Sequence, residues 1–377
     1  MVAETVIWAA IFYSFPALVL HWQAEFGWSA TQAMGAFSLA LAVQGLAAPH
    51  VGRLIDGGRA GLGFPLGTLG ALAGLAALTQ VATLWQFYAV WAWLGLMMGF
   101  TLYDATFSVV TRARGASARA GITGITLVAG FASTLAYPLT AFVTATDGWR
   151  AAVWVLAALV LLLVLPLVRF AAIRLEQEAQ ARTPVALAPQ GTTITVMQRP
   201  GFWQLAGGFA LTALGSAILL SHLLPLMAAL GVPDGLAIFA ASTIGPAQVA
   251  GRIVLTLAGA RIAARAVALG AFFLLATASL AMGAAAALPA IVLVFAVAQG
   301  VGNGVISILR PVVTREVMGE HGYGESAGAV ARLSLFAFAL APGLGAVLAD
   351  LAGYGAVLAL CVAAPLAGAA LLKRLPE

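Results

Sequence analysis

The chain has 377 residues, of which 62% are hydrophobic and only 8% are charged, and its formal net charge is +5. A soluble domain carries about 25% charged residues, so this composition excludes a water-covered globule and predicts an all-α protein embedded in lipid. The basic residues form no stripe that could follow a phosphate backbone, which excludes nucleic acid as a partner. A single cysteine, Cys361, and four scattered histidines give no metal-ligand spacing, so we expect neither a metal nor a cofactor.

Twelve apolar stretches are each long enough to cross a bilayer core, which takes about 20 helical residues. In chain order the predicted helices cover 3–23, 30–52, 62–82, 86–111, 120–145, 151–170, 202–229, 235–252, 264–285, 289–310, 325–349 and 354–372. The first of them follows no basic leader and no cleavage site, so it predicts a membrane helix rather than a signal peptide.

The only long polar stretch, 171–200, divides these helices into six and six. We therefore predict an N-terminal bundle over 1–170, a cytoplasmic linker over 171–200 and a C-terminal bundle over 201–377. Fourteen Arg and Lys residues fall in one set of connecting segments, and only Arg150 falls in the opposite set. Cytoplasmic loops carry the excess of positive charge, so both termini are predicted to be cytoplasmic. The Arg-, Ala- and Gly-rich composition favours a bacterial inner membrane.

Short phrases recur between the two halves. Val-Val-Thr-Arg at 109–112 closes predicted helix 4 and returns at 312–315, at the end of predicted helix 10. Predicted helices 5 and 11 each contain a proline, Pro138 and Pro342. Two six-helix halves related by a pseudo-two-fold axis predict a substrate site between them, near the middle of the bilayer.

The segment Gly52-x-Leu54-x-Asp56-Gly57-Gly58-Arg59 lies between predicted helices 2 and 3. It resembles the Gly-x-Leu-x-Asp-Arg-x-Gly-Arg signature of the major facilitator superfamily, one residue shorter and without the basic residue after the aspartate. The resemblance implies the twelve-helix fold of that family and secondary transport by alternating access. It also implies a cytoplasmic latch of Gly52, Asp56 and Arg59 that helps hold the halves together while the outside is open. The alternative is that Asp56 only caps a turn.

Two further motifs follow predicted helices 1 and 5, Phe26-Gly27-Trp28-Ser29 and Gly148-Trp149-Arg150. They resemble the branch of monocarboxylate transporters and oxalate/formate exchangers. The Gly-Pro-x-x-Gly-Gly pattern of drug/proton antiporters is missing from predicted helix 5, where only Pro138 remains. The motifs therefore favour an organic anion over a drug as the substrate.

Three charged residues fall within the predicted helices. Asp104 precedes Arg112, which marks the cytoplasmic edge, by eight residues, so it lies ~12 Å deep in the bilayer at ~1.5 Å per residue. Arg332 lies at a similar depth on predicted helix 11, and Arg310 lies ~7–8 Å deep on predicted helix 10. Such groups are costly in lipid and normally face a cavity or a partner.

We expect Arg332, helped by Arg310, to bind the carboxylate of a small organic anion, because a guanidinium can hold a carboxylate through two parallel hydrogen bonds. The alternative is that both arginines only neutralise Asp104 or cap helix ends. Asp104 itself either exchanges a proton during transport, stays ionised in a structural or gating pair, or contacts the substrate. His222 is either a proton relay or an ordinary hydrogen-bonded histidine near the interface.

Polar side chains on the predicted helices complete the expected cavity lining, namely Tyr13, Tyr103, Gln299 and Asn303. Glu4 is expected at the cytoplasmic interface, because it lies close to the start of predicted helix 1.

Together these residues predict a secondary active transporter of a small organic anion, with a monocarboxylate as the first candidate. Proton symport and anion exchange are both open as its energy source. The alternative is a multidrug or metabolite efflux antiporter. An enzyme is excluded because no nucleophile–base pair or metal cluster is present in the sequence. The expected partners are the organic anion, protons as a coupling ion and the lipid bilayer, and the protein is expected to be a monomer.

Overall fold

The computed structural model describes residues 1–182, 196–258 and 263–375 of the chain, and every regular element in these ranges is a helix. The described residues form two compact units. The first combines those of Met1–Ile194 with Glu320–Arg332, and the second combines those of Thr195–Gly319 with Leu333–Glu377. Segment 320–332 therefore groups with the first unit, although it lies within the range 201–377 predicted as the C-terminal bundle. The predicted bundles over 1–170 and 201–377 stay predictions.

The helices of Met1–Ile194 vary in length, and several follow one another with only a local irregularity between them. They are α1 (Val2–Trp8), α2 (Ser14–Phe26), α3 (Ala30–Asp56), α4 (Ala60–Leu78), α5 (Leu84–Thr101), α6 (Tyr103–Arg114), α7 (Ala118–Ala129), α8 (Ala132–Leu159) and α9 (Leu165–Arg182). Two π-helical turns, Ala9–Tyr13 and Val160–Val164, join α1 to α2 and α8 to α9. Predicted helices 1 and 6 are thus each interrupted by a π-turn.

The later part of the chain has fewer interruptions. Its helices are α10 (Phe202–Ser221), α11 (Leu223–Ala229), α12 (Asp234–Ala258), α13 (Ala264–Ala284), α14 (Val292–Met318) and α15 (Tyr323–Lys373). A 3-10 turn, Pro289–Ile291, precedes α14. The first turns of α15 belong to the first unit, and the helix continues into the second.

Ten helical segments of the described chain are long and apolar enough to cross a membrane, and α7 is a shorter apolar helix. Two of the ten are 44 and 51 residues long. Each contains one glycine with a non-helical backbone, Gly148 (φ 80°, ψ 168°) and Gly353 (φ 74°, ψ 173°). Division at these glycines separates predicted helix 5 from 6 and predicted helix 11 from 12. The membrane fold is confirmed, and twelve crossings stay a prediction.

Side-chain caps fix where several helices begin. Ser29 accepts a hydrogen bond from the backbone N–H of Gln32, whose side chain accepts one from the Ser29 N–H. Thr83 and Gln86 form the same reciprocal box before α5. Each box satisfies backbone N–H groups that have no partner in the first turn of a helix. The sequence thus starts α3 and α5 at defined residues.

The polar stretch predicted as a linker over 171–200 begins as helix. α9 continues to Arg182, beyond the predicted end of helix 6 at 170. The residues that extend it, such as Leu175, Glu176 and Gln177, are good helix formers, so polarity alone does not end the helix. Residues 183–195 of the predicted linker lie outside the described ranges.

One close helix contact occurs in both units. A Cβ added at Gly99 on α5 would contact the Gln44 carbonyl oxygen on α3, and one added at Gly304 on α14 would clash with the Gln248 carbonyl oxygen on α12. Small residues at such crossings let helix backbones approach closely in a membrane. The internal repeat seen in the sequence therefore has a counterpart in helix packing.

Candidate functional site

A break in the fourth predicted helix explains why Asp104 can occupy an apolar stretch. Leu102 has an extended backbone (φ −91°, ψ −171°), and α6 begins at Tyr103. Asp104 therefore lies in the first turn of a new helix rather than in the middle of a long one. The unpaired N–H groups and the positive dipole end of a helix N-terminus favour a negative charge there. This setting suits an acidic side chain.

Glu4 on α1 is a second carboxylate in the same region. It is 6% exposed, and its two oxygens accept hydrogen bonds from the Trp8 indole N–H (3.2 Å) and the Thr106 hydroxyl (3.0 Å). Thr106 lies on α6, two residues beyond Asp104, so Glu4 contacts the helix that carries Asp104. Glu4 is thus buried within the protein, and its interfacial position stays a prediction.

Aromatic rings connect Glu4 to two of the predicted lining residues. The Trp8 ring lies 4.6 Å from the Tyr103 ring and 6.3 Å from the Tyr13 ring, between centroids. Tyr103 also stacks on Phe107 at 5.0 Å. The π-helical turn Ala9–Tyr13 directly follows Trp8, and such turns are frequent at functional sites. We call Glu4, Trp8, Tyr13, Tyr103 and Thr106 the Glu4 cluster.

The predicted latch aspartate binds the N-terminus of a helix. Asp56 accepts hydrogen bonds from the backbone N–H groups of Gly324 (2.9 Å) and Glu325 (3.0 Å), at the start of α15. Arg53 forms a 3.3 Å ion pair with Glu325. Gly52 lies against Gly324 so closely that a Cβ on Gly52 would clash with the Gly324 carbonyl. All of these contacts lie within the first unit.

Arg112 and Glu176 support the other side of the same turn. They form an ion pair, and Arg112 also donates to the Ile55 carbonyl at 3.0 Å. Glu176 accepts from the Ala60 N–H at the start of α4 at 3.2 Å. Gly58 has a left-handed φ of 77°, and a Cβ there would lie 3.2 Å from the Glu176 carboxylate. We call Arg53, Asp56, Arg112, Glu176 and Glu325 the Asp56 cluster.

The sequence anticipated only one member of the Asp56 cluster. The Arg59 side chain is exposed and makes no hydrogen bond or ion pair within the described residues, so the structure gives no support to its predicted place beside Asp56. Arg53 and Arg112 supply the positive charges instead. Glu176 carried no signal, because it lies in the stretch predicted as a linker. The repeated Val-Val-Thr-Arg phrase could have drawn attention to Arg112.

At the other end of the first unit, Glu25 binds the two residues after Gly148. Its carboxylate accepts from the Trp149 indole N–H and pairs with Arg150 at 2.7 Å. Arg150 also donates to the Thr79 carbonyl at 3.1 Å and lies 4.3 Å from the centre of the Trp149 ring. The hydrogen bond from Arg150, followed by that from Trp149, lowers the pKa of Glu25 below its usual value of 4.5. We call these residues the Glu25 cluster.

The second unit contains four of the predicted site residues. Gln299 is fully buried, and within the described residues its side-chain amide has no hydrogen-bond partner. Asn303 instead donates to the Gln299 backbone carbonyl at 3.0 Å. His222 separates α10 from α11, and its Nε2 lies 3.0 Å from the Pro342 carbonyl on α15. Arg310 is partly buried on α14.

Arg332 is partly buried on α15 and belongs to the first unit, as do Asp104, Tyr13 and Tyr103. The structure therefore groups Arg332 with the acidic residues, whereas Arg310 belongs to the second unit. Among the described residues, no group of three or more His, Cys, Asp or Glu side chains could hold a metal ion.

Known proteins agree with this architecture. The crystal structure of the human organic anion transporter MFSD10 (TETRAN) matches with a TM-score of 0.68 and 20% identity, over 98% of this chain and 97% of that chain. A bacterial homologue of the iron transporter ferroportin, crystallised in an outward-facing state, matches with a TM-score of 0.72 and 13% identity, over 98% and 97%. At these identities the likeness shows the fold alone. A search of curated protein sequences finds no match.

The sequence itself identifies the family. The profile described as Major Facilitator Superfamily matches residues 1–257, which is more than half of the chain. The chain therefore belongs to the major facilitator superfamily, whose members are multi-pass membrane transporters of small molecules and not enzymes.

Proposed function

We propose that this transporter moves a small organic anion, with a monocarboxylate as the first candidate, by alternating access. The observation that carries the proposal is Arg332, a guanidinium partly buried within a long apolar helix. Its predicted depth in the bilayer is similar to that of Asp104. A permanently charged group at that depth normally serves a ligand, a partner or a water-filled path. A guanidinium also matches the planar, two-oxygen shape of a carboxylate.

One protein with this fold, human MFSD10, is an organic anion transporter, which adds to the argument for this substrate class. Arg310 and the buried, unpartnered amide of Gln299 are the further substrate contacts that we propose. A guanidinium and a carboxamide both offer N–H donors to an anion at any working pH. The location in a bacterial inner membrane is proposed on the composition, and the cytoplasmic termini are proposed on the distribution of positive charge.

The Asp56 cluster is proposed to act as the cytoplasmic latch. Asp56 holds the first turn of α15 through two backbone N–H groups, and Gly52 permits close contact with Gly324. Opening toward the cytoplasm would then separate segment 320–332 from α3. In this proposal Arg53 and Glu325 strengthen the latch, and Arg59 does not contribute.

An efflux antiporter of aromatic or cationic compounds is the second candidate. The Glu4 cluster favours it, because Glu4 lies among the rings of Trp8, Tyr13 and Tyr103. Cations bind to aromatic faces and to carboxylates. The two candidates differ in the sign of the ligand charge, so one binding experiment separates them.

The test is thermal unfolding of the purified protein in detergent with lactate, formate, oxalate, glucose and tetraphenylphosphonium. A ligand at 100 times its Kd stabilises the folded state by about 2.7 kcal/mol. We expect a shift with lactate or formate that Arg332→Ala abolishes and Arg332→Lys partly retains, because lysine keeps the charge but not the two-pronged geometry. A shift with tetraphenylphosphonium alone, unchanged in Arg332→Ala, would replace the anion proposal with the efflux one.

A further inference from the structure

We propose that Glu4, rather than Asp104, is the proton-binding site of this transporter. The inference deepens the proposed function, on which its coupling step rests, while proton binding by Glu4 can be measured without any substrate. It begins from two carboxylates whose helices are joined by the hydrogen bond between Thr106 and Glu4 and whose surroundings differ. Such pairs commonly divide into a group that keeps its charge and a group that exchanges a proton.

The hydrogen bonds of Glu4 suit both protonation states. The ionised carboxylate accepts from the Trp8 indole and from the Thr106 hydroxyl, as observed. A protonated Glu4 could donate its own O–H to Thr106, because a hydroxyl oxygen both donates and accepts. Trp8 could still donate to the second oxygen, which accepts in either state. Both carboxyl oxygens of Glu4 therefore keep a hydrogen-bond partner in either state, which lowers the cost of binding and releasing a proton.

No arginine, lysine or histidine side chain in the described ranges forms an ion pair that would hold Glu4 in its charged form. Within the described residues, no Arg, Lys or His nitrogen lies within the 4.0 Å ion-pair distance of its carboxylate. The charges that act on it are those of the Met1 amino group and Asp104. The elements that pack against α1 or bond to it carry Arg119 on α7, Asp147 and Arg150 on α8, Arg169, Arg174, Glu176, Glu178 and Arg182 on α9, and Asp104, Arg112 and Arg114 on α6.

Several of these charged side chains form ion pairs with residues other than Glu4. Arg112 pairs with Glu176, Arg114 pairs with Glu178, and Arg150 pairs with Glu25. The π-helical turns Ala9–Tyr13 and Val160–Val164, which also pack against α1, contain no charged residue. Asp104, by contrast, lies in the first turn of α6, where the helix dipole favours the carboxylate.

The Glu4 cluster also connects the proposed proton site to the residues proposed to line the substrate site. Protonation of Glu4 weakens the bond from Trp8, because hydrogen bonds to a charged acceptor are the stronger ones. The Trp8 ring contacts Tyr13 and Tyr103, which are proposed lining residues. Protonation also removes one negative charge from the first unit, to which Arg332 belongs, and this change favours the binding of an anion by Arg332. The proposed stoichiometry is one proton bound for each monocarboxylate bound.

The first experiment follows the infrared band of a protonated carboxyl group during a pH titration of the full-length protein in lipid. Wild type and Asp104→Asn should both show a titrating band, and Glu4→Gln should lack it. Thr106→Ser should keep the midpoint, whereas Thr106→Val should move it by about one pH unit, the effect of one hydrogen bond to a charged group. A band that survives in Glu4→Gln and disappears in Asp104→Asn would overturn the proposal, as would the absence of any titrating band.

The second experiment measures lactate binding to the same proteins across pH. Wild-type affinity should fall about tenfold for each pH unit above the midpoint, because one proton is linked to binding. Glu4→Gln should bind lactate with little pH dependence. If lactate fails to bind while the Glu4 band titrates, the substrate proposal fails and the proton site stands. If lactate binds with the same pH dependence in Glu4→Gln, the coupling role of Glu4 is overturned.

Discussion

The Asp56 cluster and the Glu25 cluster lie at opposite ends of the first unit and use the same pair of functional groups, a guanidinium and a carboxylate. In the Asp56 cluster, the side chains of Arg112 and Glu176 are 18% and 10% exposed, and both also bond to backbone groups. In the Glu25 cluster, the side chains of Glu25 and Arg150 are 36% and 45% exposed.

This difference in burial decides what each cluster does. A buried ion pair contributes little net stability while intact, but the loss of one partner leaves a charge in a poor environment. An exposed pair contributes at most about 1 kcal/mol, and water replaces it readily. The Asp56 cluster should therefore be sensitive to every single substitution, and the Glu25 cluster should tolerate them. The predictions below test that contrast in order of decreasing effect.

The largest effect should come from Glu176→Ala. The substitution leaves the Arg112 guanidinium and the Ala60 N–H without their carboxylate, so we expect a loss of about 3 kcal/mol in the free energy of unfolding. Thermal or denaturant unfolding in detergent measures it. The matched control is Glu178→Ala on the same helix, whose pair with Arg114 is 3.6 Å long and about half exposed. Equal losses in the two variants would contradict the contrast.

An intermediate effect should come from Asp56→Asn. The amide keeps one acceptor oxygen but loses the charge and one of the two bonds to the start of α15, so we expect about 1–2 kcal/mol of destabilisation. The same unfolding experiment applies, with Arg59→Ala as the control. Since the Arg59 side chain has no partner within the described residues, that control should stay within about 0.5 kcal/mol of wild type. A larger loss in Arg59→Ala would restore its predicted place in the latch.

The smallest effect should come from Glu25→Gln, below about 1 kcal/mol at neutral pH because the pair is more than one-third exposed. Its pKa is lowered in the folded protein, mainly by the hydrogen bond from Arg150. The stabilisation is therefore complete above the usual value of 4.5 and is lost as the pH falls through the lowered pKa. Melting temperatures of wild type and Glu25→Gln should differ slightly at pH 7 and converge in acid. A gap that widens in acid would show that the assigned pair is wrong.

Hydropathy predicted the membrane fold well, because long apolar helices are the direct consequence of a lipid solvent. The signature around Asp56 and the repeat between halves indicated the family before any contact was known. Asp104 was recognisable because it is an isolated acid in an apolar stretch. The break before it at Leu102 carried no proline or glycine signal, so only the structure shows that Asp104 lies at a helix start.

The contacts of Glu4 and Glu176 could not be predicted, for a different reason. Glu4 lies near the start of predicted helix 1, and Glu176 lies in the stretch predicted as a linker, so neither had an expected partner. The structure instead buries Glu4 against Thr106 and extends α9 so that Glu176 reaches Arg112. Both positions depend on a contact across more than 60 residues of chain, as the separations of 102 and 64 show. No local pattern encodes such contacts.

Gly148 and Gly353 each connect two helices through a single residue. At each one, a glycine with positive φ turns one long helix into two, with no loop between them. A movement of one helix is therefore passed directly to the other. Reporter tags or protease sites inserted there would separate the two helices. Insertions at Gly27 or Gly231, which lie in the non-helical segments 27–29 and 230–233, offer safer places to map which side of the membrane each connection faces.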